Sequence, residues 1–77
     1  MLVSACVLIR TSAGKFEEAV KMVQQIKGVE KVFPVLGRYD VVVDVGDLSP
    51  HELGPTVLRI GRIAGVVFTE TLVEIKQ

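Results

Sequence analysis

The sequence predicts an α+β fold of βαββαβ order, a four-stranded antiparallel sheet with two helices on one face. Three observations predict it. Apolar spacing switches between strand-like and helix-like along the chain, each helical stretch ends at a glycine, and a short segment recurs. Ile26-Lys27-Gly28-Val29 returns thirty-seven residues later as Ile63-Ala64-Gly65-Val66, which divides the 77 residues into two βαβ halves. Two right-handed βαβ crossovers interleaved in one sheet give the ferredoxin-like arrangement, with spatial strand order 4-1-3-2. Residues 1–77 are read as one domain.

Leu2 to Ile9 is an aliphatic, β-branched run too short for a helix with its own packing face, and it is read as a strand that ends at Arg10-Thr11. From about Lys15, the residues Phe16, Ala19, Val20, Val23 and Ile26 recur at helical spacing, with Glu17, Glu18, Lys21, Gln24 and Gln25 on the other side. Gly28 stops that helix in the left-handed geometry that costs glycine little. Val29 to Leu36 is the second strand. Pro34 inside it lacks the amide that a central ladder needs, so the strand is expected at a sheet edge.

Gly37-Arg38 reads as a two-residue hairpin turn of type II′. Tyr39 to Val45 then forms the third strand, with Tyr39, Val41, Val43 and Val45 on one face and Asp40, Val42 and Asp44 on the other. Ser49-Pro50-His51-Glu52 combines a capping box with proline at the first helical position and starts a second helix. Pro55 lacks the amide that would bond the His51 carbonyl, so a kink or a restart is expected there. Leu53, Val57, Ile60 and Ala64 form its apolar stripe, Gly65 ends it, and Val66 to Ile75 makes the last strand.

Nine Lys and Arg balance nine Asp and Glu, so no long-range field draws the chain to nucleic acid or to an anionic membrane. Hydrophobic residues make up 49% and the mean hydropathy is +0.48, yet no apolar run approaches the ~18 residues of a membrane span. The start of the chain lacks the basic segment of a signal peptide and is read as folded structure. The single cysteine, Cys6, cannot make an intrachain disulfide, which fits a reducing cytoplasm.

The two helices leave one sheet face open. On the first strand Val3, Ala5, Val7 and Ile9 take one side, while Ser4, Cys6 and Leu8 take the other, so neither side suits bulk water. The expected cover is the same face of a second copy, in a two-sheet sandwich.

Gly28-Val29-x-x-Val32, Gly37-Arg38-Tyr39-Asp40, and Ile63-x-Gly65-Val66 leading into Thr69-Glu70-Thr71, in this order and spacing, resemble the C-terminal effector domain of the Lrp/AsnC ("feast/famine") transcription regulators, often called the RAM domain. The resemblance covers the whole chain. It implies a ferredoxin-like fold, dimers through the open sheet face, rings of dimers such as octamers or decamers, and amino-acid effectors bound between dimers. Family members usually begin with a helix-turn-helix domain, whereas this sequence starts at the first strand. A stand-alone effector domain is therefore expected, without direct operator DNA binding and in partnership with full-length Lrp/AsnC regulators.

The resemblance points to Gly37, Arg38, Tyr39 and Asp40 as the neighbourhood of the effector, with Asp40 meeting an ammonium, and to Thr69 and Thr71 as hydroxyls for the effector's polar groups. Each residue also has a plainer reading: a hairpin glycine before a solvated acid, Tyr39 as packing with its hydroxyl at the rim, and threonine as a strand former. Asp40 and Asp44 share a face but have no supporting catalytic set. His51 has no metal-spaced companions, Cys6 has no basic neighbour to activate it, and Gly14-Lys15 is too short for a phosphate loop. Arg59 and Arg62 are placed on the outer side of the second helix.

The expected function is thus an amino-acid-binding regulatory module that self-assembles, with no cofactor and no chemistry of its own. Its rivals are a small dimeric α+β-barrel oxygenase or isomerase and a ring scaffold without an effector. With no Trp, one Tyr and one His, the enzyme reading lacks aromatic pocket residues. An RNA-binding version would show aromatics on the central strands, where this sequence is aliphatic.

Overall fold

A computed structural model describes residues 1–74. The elements run β1 (Val3–Thr11), α1 (Phe16–Gln24), β2 (Val29–Pro34), β3 (Val41–Leu48), α2 (Pro50–Gly61) and β4 (Val66–Val73). All strand pairs are antiparallel and the sheet order is β2-β3-β1-β4, which is 4-1-3-2 read from the other end. This is the ferredoxin-like βαββαβ fold. Pro34 lies on an edge strand, as its missing amide requires.

The core forms between the sheet and both helices. Val7 and Ile9 of β1 and Val41, Val43 and Val45 of β3 are buried in one cluster with Val23 of α1 and Ile60 of α2. Both helices therefore cover the same face. Alternation along the strand then sends Ser4, Cys6, Leu8 and Arg10 of β1, and Val42 and Asp44 of β3, to the opposite side.

The sequence repeat is also a structural repeat. The Val29 and Val66 N–H groups each donate to the carbonyl three residues back, Ile26 and Ile63, at 3.1 Å in both turns. Gly28 and Gly65 sit between them at φ 97° and 95°, the left-handed region that disfavours side chains. Each helix is thereby returned to the sheet by the same turn.

Several boundaries differ from the sequence expectation. β2 stops at Pro34, and Gly37-Arg38 is not a two-residue turn. A longer loop runs from Val35, whose N–H donates to the Asp40 carbonyl at 3.0 Å. The Asp40 N–H is drawn instead to the Ile9 carbonyl of β1, at 2.8 Å. Hence β3 begins at Val41, and Tyr39, expected on its core face, lies outside the strand. At its other end β3 continues to Leu48 through an irregularity opposite Val3 and Ala5, which buries Leu48 at 4% exposure.

α2 neither restarts nor breaks at Pro55. Gly54 has no Cβ to meet the proline ring, and His51, whose carbonyl loses its partner, is exposed. The Ser49 N–H donates to Glu52 Oε1 at 2.9 Å, the return arm of the expected capping box. The buried face of α2 uses Thr56 and Ile60, with Leu53 and Val57 partly covered. The expected extension of β4 to Ile75 falls outside the described residues.

Candidate functional site

Where β1 ends beside the start of β3, the loop through Gly37, Arg38, Tyr39 and Asp40 is tied to β1 at two points. Asp40 Oδ2 accepts hydrogen bonds from the Thr11 N–H at 2.7 Å and the Thr11 hydroxyl at 3.2 Å. Arg10 donates from Nε and Nη2 to the Arg38 carbonyl at 3.3 and 3.2 Å. The side chain of Asp40 thus closes the loop, and the Arg38 backbone anchors a guanidinium.

That guanidinium stands over two rings. Arg10 Cζ lies 5.9 Å from the centroids of both Tyr39 and Phe68, within cation–π range, and the rings are stacked with centroids 6.3 Å apart. The Tyr39 hydroxyl donates to Glu70. This hydrogen bond, with lesser help from desolvation and the negative charge of Glu70, holds the phenol above its ordinary pKa of 10.0. Arg10, Phe68 and Glu70 were not among the residues assigned to the effector from sequence. The available signal was register, since Arg10 is one step beyond Leu8 on the open side and pairs with Phe68.

Thr69 and Thr71 lie elsewhere. They pair with Ile9 and Val7, whose side chains are buried under the helices, so they project to the helix side of β4. Phe68, Glu70 and Leu72 occupy its open side. Within one protomer Tyr39, which packs on Phe68, and the two threonines are therefore on different sides of β4.

A groove of about 400 Å³ opens at the opposite end of the open face, lined by Ser4, Cys6, Glu30, Asp44, Leu72 and Glu74 among others. Burial and the neighbouring Asp44 push the Cys6 thiol up, away from a reactive thiolate. Among the described residues no group of His, Cys, Asp and Glu is arranged to hold a metal ion, and no helix is long and apolar enough to cross a membrane.

Residues 4–77 match the family model of the Lrp/AsnC ligand binding domain. The chain belongs to the Lrp/AsnC family. Among curated Lrp/AsnC relatives, the HTH-type transcriptional regulator FL11 of Pyrococcus furiosus is 31% identical over 72 residues, covering 94% of this chain and 48% of the relative. FL11 of Pyrococcus abyssi is 32% identical over the same shares. The chain spans about half the length of the curated relatives it matches. In solved structures, the fold superposes on TTHA0845 from Thermus thermophilus with a TM-score of 0.90 at 30% identity, covering 97% of this chain and 95% of that one. Escherichia coli AsnC shares the fold at TM-score 0.88 and 22% identity, covering 97% of this chain and 52% of that one. Family and relatives alike point to a transcriptional-regulator domain rather than to an enzyme.

Proposed function

We propose that this Lrp/AsnC domain is an amino-acid-sensing module that self-associates through its open sheet face and acts on Lrp/AsnC regulators, working in the cytoplasm. The observation that carries the reading is the prebuilt Gly37–Asp40 loop, tied to Thr11 and Arg10, in a chain that matches a ligand-binding domain along nearly its whole length. A loop held in place before binding loses little entropy when a ligand arrives. Gly37, Arg38, Tyr39 and Asp40 would then present polar groups to an effector's ammonium and carboxylate. Thr69 and Thr71, on the other face of β4, would join from a neighbouring dimer at a seam between assembled copies.

Self-association is supported by the open face itself. Phe68 and Leu72 are 52% and 50% exposed beside Leu8 and Val42, an apolar surface that a second sheet would cover. Assembly into rings of dimers and mixed assembly with full-length regulators extend the same reading. An effector at the seam would shift the balance of assemblies only by its differential affinity for them. With formal charge zero, the module has little long-range pull on DNA, so it would act through regulator partners.

The test is a thermal-shift screen of the twenty free amino acids, joined to native mass spectrometry. At least one amino acid is expected to raise the melting temperature or change oligomer size. A complete screen with neither effect removes the sensing role.

A further inference from the structure

At the Val3–Leu48 end of the sheet, on the helix side and remote from the Gly37–Asp40 loop, a cleft of about 250 Å³ lies between α2 and the turn that follows α1. Its floor is Leu48, against which the turn packs so closely that a Cβ added at Gly28 would meet Leu48 Cδ2 at 3.0 Å. Lys27, just before that glycine, stands on one side. His51, Pro55 and Arg59, each four residues from the next along α2, stand on the other. Glu52 is the one acid in the lining, and the cap draws it back, since its Oε1 accepts the Ser49 N–H at 2.9 Å. With Lys27 and Arg59 against Glu52, the cleft is net positive even when His51 is neutral.

The internal repeat shows that the fold does not require this set. A shift of thirty-seven residues carries α1 onto α2, placing Val23 on Ile60 and Phe16 on Leu53, which pack into the same core. On that shift Ala64 stands for Lys27, Gly14 for His51 and Met22 for Arg59, while Lys15 takes the place of Glu52 and Glu18 that of Pro55. The cationic pair thus belongs to the second half alone. Ala19 corresponds to Thr56, and both are 2% exposed. Alanine therefore suffices to fill that place, yet α2 buries a hydroxyl there, which costs free energy unless the oxygen has a partner. Among the described residues Thr56 is the one buried polar side chain, and it lines the cleft. We propose that this cleft binds a compact oxyanion, a phosphate or a dicarboxylate, held between Lys27 and Arg59 with the Thr56 hydroxyl as a further donor. Charged donors make the stronger hydrogen bonds to such groups. Lys27 supplies a rotatable ammonium from one side and Arg59 a planar fork from the other. The site uses neither the Gly37–Asp40 loop nor the open sheet face, so it stands independently of amino-acid sensing and self-association and would give the domain a second input.

A nuclear magnetic resonance titration of the full chain with inorganic phosphate, succinate and sodium chloride at matched ionic strength tests this. Phosphate or succinate, but not chloride, is expected to shift the amide resonances of Lys27, His51, Thr56 and Arg59 in a saturable way, while those of Tyr39 and Asp40 stay in place. The oxyanion that acts at the lower concentration names the class. Lys27→Ala and Arg59→Ala, both at exposed positions, should each weaken binding about tenfold. Thr56→Ala, which installs the residue that α1 already uses, should weaken binding several-fold without lowering the melting temperature measured in the absence of anion. Thr56→Ser should keep the affinity. Shifts that chloride reproduces, shifts that do not saturate, or an affinity unchanged in the Lys27 and Arg59 variants overturn the site.

Discussion

One carboxylate oxygen of Asp40 receives both polar hydrogens of Thr11, the backbone N–H at 2.7 Å and the hydroxyl at 3.2 Å. The acid that sequence reading assigned to an effector is, in the folded protomer, a clamp between the β2–β3 loop and the end of β1. Any ligand contact it makes is added to that structural duty.

Removing the clamp should loosen the loop before it affects the sheet. Asp40→Ala is expected to cost about 1–3 kcal/mol, the usual scale for hydrogen bonds to a partly buried charged group. Thr11→Val, which keeps the N–H bond, should cost less. Chemical denaturation of both variants checks the order, and equal losses would show that the hydroxyl contact, not the N–H contact, dominates.

The pairing of Tyr39 with Glu70 predicts an alkaline limb of stability. Because the folded phenol is held above its ordinary value of 10.0, chiefly by the hydrogen bond to Glu70, the fold favours the protonated form. That contribution is full below the unfolded value and disappears as pH rises through the folded one. Tyr39 is the only tyrosine and there is no Trp, so ultraviolet titration reports it alone. Glu70→Gln should bring the phenolate transition down, and an unchanged transition would refute the contact.

Glu52 predicts the opposite limb. Its hydrogen bonds to Ser49, backbone first, hold the carboxyl below its ordinary 4.5. The resulting stability is present above the unfolded pKa and is lost as pH falls through the folded one. Glu52→Ala should therefore lower the melting temperature near neutrality, and the gap from wild type should close in acid. A gap that persists below both pKa values would show that capping is not its source.

Two glycines should respond with opposite signs. At Gly65 the backbone is left-handed and an added Cβ would lie 2.6 Å from Lys15 Cβ, so Gly65→Ala is expected to destabilise by about 1–3 kcal/mol. At Gly61, the last residue of α2, nothing stands within 4 Å of the added Cβ, and alanine should stabilise by roughly 0.5–1 kcal/mol. Thermal melts of the two variants give the comparison directly.

Much of the fold was readable because it is written in local rules. Helical spacing placed Val23 and Ile60 in the core, the recurring Ile-x-Gly-Val turn announced two βαβ halves, and a proline without an amide identified an edge strand. The failures lie where contacts distant in sequence overrule such rules. Gly37-Arg38 had good hairpin chemistry, yet Asp40 bonds to Ile9 and Thr11, roughly thirty residues earlier, and these bonds lengthen the loop and release Tyr39 from the strand. Pro55 had good helix-breaking chemistry, yet an exposed turn and a preceding glycine let the helix pass.

The amino-acid order by itself determined the element types, their sequence and the sheet order, because periodicity, capping and crossover handedness act over a few residues or through topology. Only the tertiary structure decided that Arg10 rests on Tyr39 and Phe68, that Asp40 closes onto Thr11, and that Thr69 and Thr71 project to the helix side of β4, opposite to Phe68 and Glu70. Those facts depend on strand register, which a period of two leaves open to a shift of one residue until the core faces interlock.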